Sequence, residues 1–284
     1  MVCAMRNLLA VAVLLFGAVG TGRAASVTFD EAGNQLSLFN ILDSSNVTTA
    51  TGYTEASSAG VGLPASVGVT HITGGSASSV SAVYTGEVFN LTSTSPFTVS
   101  AFFRETAFTT AVSTRTFWLG LSQGTNTGFN STTAGTEFLA GRISATSTAG
   151  SYDMTIGTKQ AGSSGVTMTV GTVTLNLTDY YKLTMTFQRS VTVNAIKVAL
   201  LLEDYGPDGI SGPTTVSSVP LTNYFNSPLY VDSSTYAGFA GEENLTNNYD
   251  NFSTTGGTSV PEPASSAFLA AGGLALFARR RRLT

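Results

Sequence analysis

The sequence predicts an all-β protein, a single jelly-roll-like β-sandwich, and three observations carry that expectation. Between Ser26 and Thr255 no stretch repeats its apolar residues at helical spacing, whereas short runs alternate apolar with polar. Gly, Asn, Ser and Asp punctuate those runs. About thirteen runs of this kind are too many for a seven-stranded immunoglobulin-type unit and suit a larger two-sheet jelly roll.

Taken in order, residues 27–30, 36–41, 67–72, 80–84 and 87–91 open the series. Phe97, Val99, Ala101 and Phe103 then alternate with Thr98, Ser100, Phe102 and Arg104, a period of two that gives a strand one buried face. Residues 116–121, 137–143, 152–156 and 166–175 follow. Tyr181, Leu183, Met185 and Phe187 alternate with Lys182, Thr184 and Thr186. Residues 195–202 are apolar on both faces, as a central strand would be. Residues 236–240 and 249–253 close the series. Two smaller sandwiches would use the same strands, but no Pro-rich or charged linker divides residues 26–255, so one domain is expected.

Composition narrows the function. The 284 residues include 13 Lys and Arg against 17 Asp and Glu, but four of the basic residues are Arg279, Arg280, Arg281 and Arg282. Between Ser26 and Ser259 seven basic residues face sixteen acidic ones, a net charge of −9. Such a body lacks the clustered cations that neutralise phosphates, which excludes nucleic-acid binding. His71 and Cys3 are the only residues of their kinds, so a His-rich zinc site, a disulfide framework and a Cys–His nucleophile are excluded as well.

Both ends read as addresses. Residues 1–25 have the form of a secretory signal peptide: Arg6, a short apolar run, then small residues up to Ala24 and Ala25. At the other end, Gly256, Gly257, Thr258 and Ser259 read as a flexible spacer before Pro261-Glu262-Pro263. An apolar run over 264–278 and the four arginines follow. Fifteen helical residues reach about 23 Å, short of a hydrocarbon core near 30 Å, so this transmembrane helix is marginal. The arginines stay in the cytoplasm and everything before Pro261 lies outside.

Pro261, Glu262 and Pro263, the short apolar helix and Arg279 to Arg282 together resemble the PEP-CTERM sorting signal of Gram-negative bacteria. The resemblance, confined to residues 260–284, implies an exosortase as partner, a membrane protease that recognises and processes the tail after delivery by the general secretory machinery. It also implies transient membrane anchoring, a destination at the cell surface or in the extracellular matrix, and an association with exopolysaccharide and biofilm. More loosely, Val27-Thr28-Phe29-Asp30 at the start and Tyr236 to Gly241 and Tyr249-Asp250-Asn251-Phe252 at the end resemble the terminal strands of LamG or concanavalin-like jelly rolls. That resemblance implies paired terminal strands, with Asp30 near Asp250.

Catalytic chemistry finds little footing. Glycoside hydrolysis needs two carboxyls about 5–9 Å apart, yet Glu203 and Asp204 are adjacent and point to opposite faces of a strand. No Gly-x-Ser-x-Gly elbow accompanies His71. The expectation is a non-enzymatic protein without a cofactor. Structural calcium is the one metal with candidate ligands, Asp204 and Asp208 in a turn-rich loop or Asp30 with Asp250; Pro207-Asp208-Gly209 is equally plain turn chemistry. Trp118, the sole tryptophan, falls on the strand face opposite Phe117, Leu119 and Leu121. It is there a candidate for stacking on extracellular polysaccharide, or else packs beneath a loop. The alternatives to a surface or matrix component are a secreted glycan-active jelly-roll enzyme and a permanently anchored envelope protein.

Overall fold

The computed structural model describes residues 23–30, 35–43, 53–55, 63, 68–71, 79–105, 115–126, 129, 137–159, 166–191, 194–225, 229, 234–242 and 247–259. The signal segment up to residue 22 and the expected transmembrane helix 264–278 with its arginines lie outside them. Among the described residues, no helix is long and apolar enough to cross a membrane.

The strands are β1 (Arg23–Val27), β2 (Phe39–Asp43), β3 (Tyr53–Glu55), β4 (Val69–His71), β5 (Ser79–Tyr84), β6 (Glu87–Val88), β7 (Phe97–Glu105) and β8 (Arg115–Ser122). They continue with β9 (Phe138–Ala145), β10 (Ser151–Lys159), β11 (Val166–Thr174), β12 (Tyr181–Arg189), β13 (Ile196–Asp204), β14 (Thr214–Phe225), β15 (Tyr236–Glu242) and β16 (Asn247–Ser259). A short 3-10 helix, Gln35–Leu38, precedes β2.

Two antiparallel sheets form the sandwich. The nine-stranded sheet runs β14-β13-β12-β7-β16-β4-β3, with β1 and β6 also paired to β16; the seven-stranded sheet runs β11-β10-β9-β8-β15-β5-β2. The period-two alternation does what it predicts. Phe97, Val99, Ala101 and Phe103 of β7 and Leu183, Met185 and Phe187 of β12 enter one core with Phe117, Leu119 and Leu121 of β8. Aromatic pairs bridge the sheets, such as Phe103 on Phe117 at 4.5 Å between ring centroids. Among the described residues, one large cluster of buried side chains fills the space between the two sheets.

Several local expectations are corrected. β3 and β14 have no counterpart in the sequence reading. β14 contains Pro220, which removes a ladder donor, and it lies at the sheet edge with Thr214, Thr215, Ser218 and Pro220 exposed. β13 is flanked by β12 and β14, yet one of its faces is only half-buried, so it is not buried on both sides. The terminal strands do pair, Val27 opposite Phe252, but β1 begins at Arg23, within the segment read as signal peptide, and ends before Phe29, whose φ of 54° breaks the strand.

The glycine-rich stretch 256–259 is strand, not spacer. Its glycines serve close approach rather than freedom. Gly256 has φ of +83°, and a Cβ at Gly257 would stand 2.7 Å from Glu87 Oε2 and 2.8 Å from the Phe89 ring.

Candidate functional site

The outer face of the seven-stranded sheet carries a row of residues outside the main core. Register places Leu42, Ser81, Ala240, Trp118, Arg142, Thr155 and Thr169 in one row across all seven strands. The adjacent row carries Val83, Gly238, Gly120, Ala140 and Gly157, small residues that leave room for side chains lying above them.

One half of this face is closed. Trp118 points away from the core, as alternation requires, but it is only 1% exposed. It is packed in a satellite cluster with Leu42, Val83, Phe129, Phe138, Ala140 and Ala240. Phe129, from the connection between β8 and β9, provides part of the cover. The base of that connection is closed by the Gln123 N–H donating to the Glu137 carbonyl at 2.9 Å. Phe129 is pinned by its own N–H to Ser81 Oγ at 2.9 Å, and its ring reaches over Gly238. Asn40 Nδ2 donates to the Thr125 carbonyl at 3.0 Å and so ties the same connection to β2. Of the two placements expected for Trp118 the buried one holds: it packs against Phe129 and Phe138 in this cluster, with the Arg142 guanidinium 4.4 Å from its ring centroid.

The other half is open and hydroxyl-rich. Arg142, Ser144, Asp153 and Thr155 are half-exposed, and Thr167, Thr169 and Thr172 are exposed. Asp153 is the one carboxylate that β8 to β11 contribute, and it accepts a 2.8 Å hydrogen bond from Thr172 Oγ1. Such a surface can donate and accept many hydrogen bonds; it does not set two carboxyls across a bond.

The calcium candidates are engaged in backbone chemistry. Asp204 Oδ1 accepts from the Gly206 N–H at 2.7 Å. Asp208 Oδ1 accepts from the Ile210 and Ser211 N–H groups, and its Oδ2 from the Ser211 hydroxyl. These bonds, that from Ile210 foremost, hold the Asp208 carboxyl below its ordinary range. Asp30 is exposed, whereas Asp250 is buried and accepts from the Leu63 and Asn251 N–H groups, both at 2.7 Å. Among the described residues no three His, Cys, Asp or Glu side chains gather as a metal site.

At the C-terminal end, Thr258 and Ser259 of β16 pair with Val88 and Glu87 of β6. The Glu87 carboxyl, 2% exposed, accepts a hydrogen bond from the Thr254 hydroxyl. Burial pushes this carboxyl above its ordinary value, partly offset by that hydroxyl. The strand ends where the proline motif begins.

Residues 259–282 match the PEP-CTERM protein-sorting motif. The PEP-CTERM motif marks an exported chain that an exosortase sorts to the cell surface. No curated protein matches the chain in sequence. Among solved structures it is similar to a lectin from Bauhinia forficata in complex with GalNAc, at 10% identity and a TM-score of 0.48 over 84% of this chain and 100% of that one. A carbohydrate esterase from the Shiga toxin-encoding bacteriophage phi24B gives 12% identity and 0.48 over 82% and 98%. The globular domain of T. cruzi calreticulin gives 10% and 0.43 over 88% and 93%.

The PEP-CTERM residues Pro261, Glu262, Pro263 and Arg279 to Arg282 lie outside the described residues, and the sandwich delivers the chain to their threshold at Ser259. Three functional candidates escaped the sequence reading: Arg142, Asp153 and Glu87. Arg142 left a signal, being one of few cations in the body and alternating with Ala140 and Phe138 on a strand. Glu87 left none, since its partner Thr254 is 167 residues away.

Proposed function

We propose that this is a non-enzymatic component of the cell surface or extracellular matrix, a β-sandwich cargo exported through the general secretory route. Its C-terminal helix holds it briefly in the membrane, and the exosortase then cuts the tail. The body engages extracellular polysaccharide through the open, hydroxyl-rich half of the outer face around Arg142, Asp153 and Thr155. The observation that carries the reading is the PEP-CTERM match at residues 259–282, joined directly to the folded body.

Mass spectrometry of the exported protein tests the sorting step. A mature species lacking Arg279 to Arg282 is expected, and retention of those arginines overturns tail processing. Polysaccharide pull-down with Arg142→Ala and Thr155→Ala tests the body: binding that both variants leave intact removes this face as the ligand surface.

A further inference from the structure

The last rungs of the sheet and the first residue of the sorting motif are shared. The ladder between β7 and β16 stops at Thr255, opposite Thr98. Beyond it, Gly257 pairs with Arg23, a residue of the segment read as signal peptide, and Thr258 and Ser259 pair with β6. These rungs form a separate outer segment, because lifting them breaks no bond to β7. The tip is nevertheless closely seated: Gly257 lies against Glu87 and Phe89, and Gly256 against Phe97.

Two constraints meet here. Between Ser259 and Ala264, where the apolar run begins, five residues span at most about 17 Å, so a tail embedded in the membrane holds this pole of the sandwich at the membrane face. A protease also takes its substrate as an extended strand, with main-chain hydrogen bonds to several residues beside the cut. Three residues upstream of Pro261 is Thr258, whose backbone already belongs to the sheet. One strand edge cannot pair with β6 and with an enzyme cleft together.

Resting on the reading that the PEP-CTERM tail is processed, we infer that cutting requires release of Thr258 and Ser259 from β6. The sandwich itself then sets the rate at which its tail is removed, with β6 and Glu87 as the latch. Native proteins open locally in such outer segments while the rest stays folded.

The test follows maturation of the full-length chain by pulse-chase in cells holding the sorting protease. A ten-residue Gly/Ser insert between Ser259 and Val260 leaves the fold untouched and supplies free strand to the enzyme; processing is expected to quicken about tenfold, the factor for roughly 1.4 kcal/mol of opening removed. A Val88→Cys/Thr258→Cys pair, oxidised, is expected to stop processing until reductant restores it, and adding the insert to that pair should restore it without reductant. An unchanged rate with the insert, or normal cutting of the oxidised pair, overturns the latch. Pro261→Ala/Pro263→Ala separates the two readings. If this variant is blocked while the insert has no effect, only the latch fails; if it matures normally, the sorting reading itself fails.

Discussion

Trp118 is the residue whose replacement separates packing from ligand contact most cleanly. In Trp118→Ala the lost side chain buries about 200 Å² of surface, which at about 25 cal/mol per Å² corresponds to about 5 kcal/mol as an upper figure. Large-to-small replacements of buried aromatics cost about 3–5 kcal/mol, and losing the Arg142 contact at 4.4 Å adds about 1 kcal/mol. A loss near 4 kcal/mol is therefore expected, a large part of the 5–15 kcal/mol typical of a domain. Urea unfolding followed by circular dichroism measures it. Because Trp118 is the only tryptophan, its fluorescence adds a local readout: the native emission should be blue-shifted and poorly quenched by acrylamide, and both features should vanish in one unfolding transition. A solvent-facing tryptophan would cost under about 0.5 kcal/mol. A measured loss below about 1.5 kcal/mol, or ready quenching in the native state, would refute the covered cluster.

Other expectations follow from the same reasoning. Burial raises the Glu87 carboxyl, so the folded state holds that proton more tightly than the unfolded one, and its contribution is fullest below about pH 4.5 and lost as pH rises through the raised value. Glu87→Gln should thus be more stable than wild type at pH 7, with the gap closing toward pH 4 in thermal melts; a constant gap would contradict the assignment. Burial likewise raises Tyr53, Tyr152 and Tyr249, the Glu105 charge raising the latter two further, and Tyr181 is pushed up to about 12, chiefly by burial. Raised phenols favour the fold at neutral pH and cost it stability as pH climbs past 10. Tyrosinate absorbance from these residues should therefore appear together with loss of circular dichroism, and reversible ionisation in a still-native protein would count against their burial. Gly120→Ala would place a Cβ 2.2 Å from the Leu139 carbonyl and 2.6 Å from the Ala140 Cα. Overpacking against backbone should cost at least about 2 kcal/mol, and a melting temperature equal to wild type would show that β8 and β9 separate easily.

The strands were legible where one face is buried along the whole run. Phe97 to Phe103 and Tyr181 to Phe187 announce their core faces because burial and the period of two coincide. β14 was not legible, because an edge strand needs only Val216 and Val219 against the core and tolerates Pro220. The orientation of Trp118 could be read from alternation, but its cover could not. Phe129, a lone aromatic among Asn, Thr and Gly, was the available signal, and it acquires meaning only once Ser81 and Gly238 lie beneath it. Gly256 to Ser259 misled for a related reason. Glycine permits both a loose tether and a close approach, and what decides between them is Glu87 and Phe89, far away in the chain.

The position of β16 has a consequence for assembly during export. Its partners β1, β4, β6 and β7 are all made before it, and it contributes Tyr249 and Phe252 to the shared core. Until β16 has been synthesised, β7 on one flank and β1 and β4 on the other lack the strand that joins them. Because such sequence-distant pairings form slowly, the nine-stranded sheet closes only once its last strand is available. A chain that has not yet reached Asn247 therefore has no closed nine-stranded sheet and stays pliable.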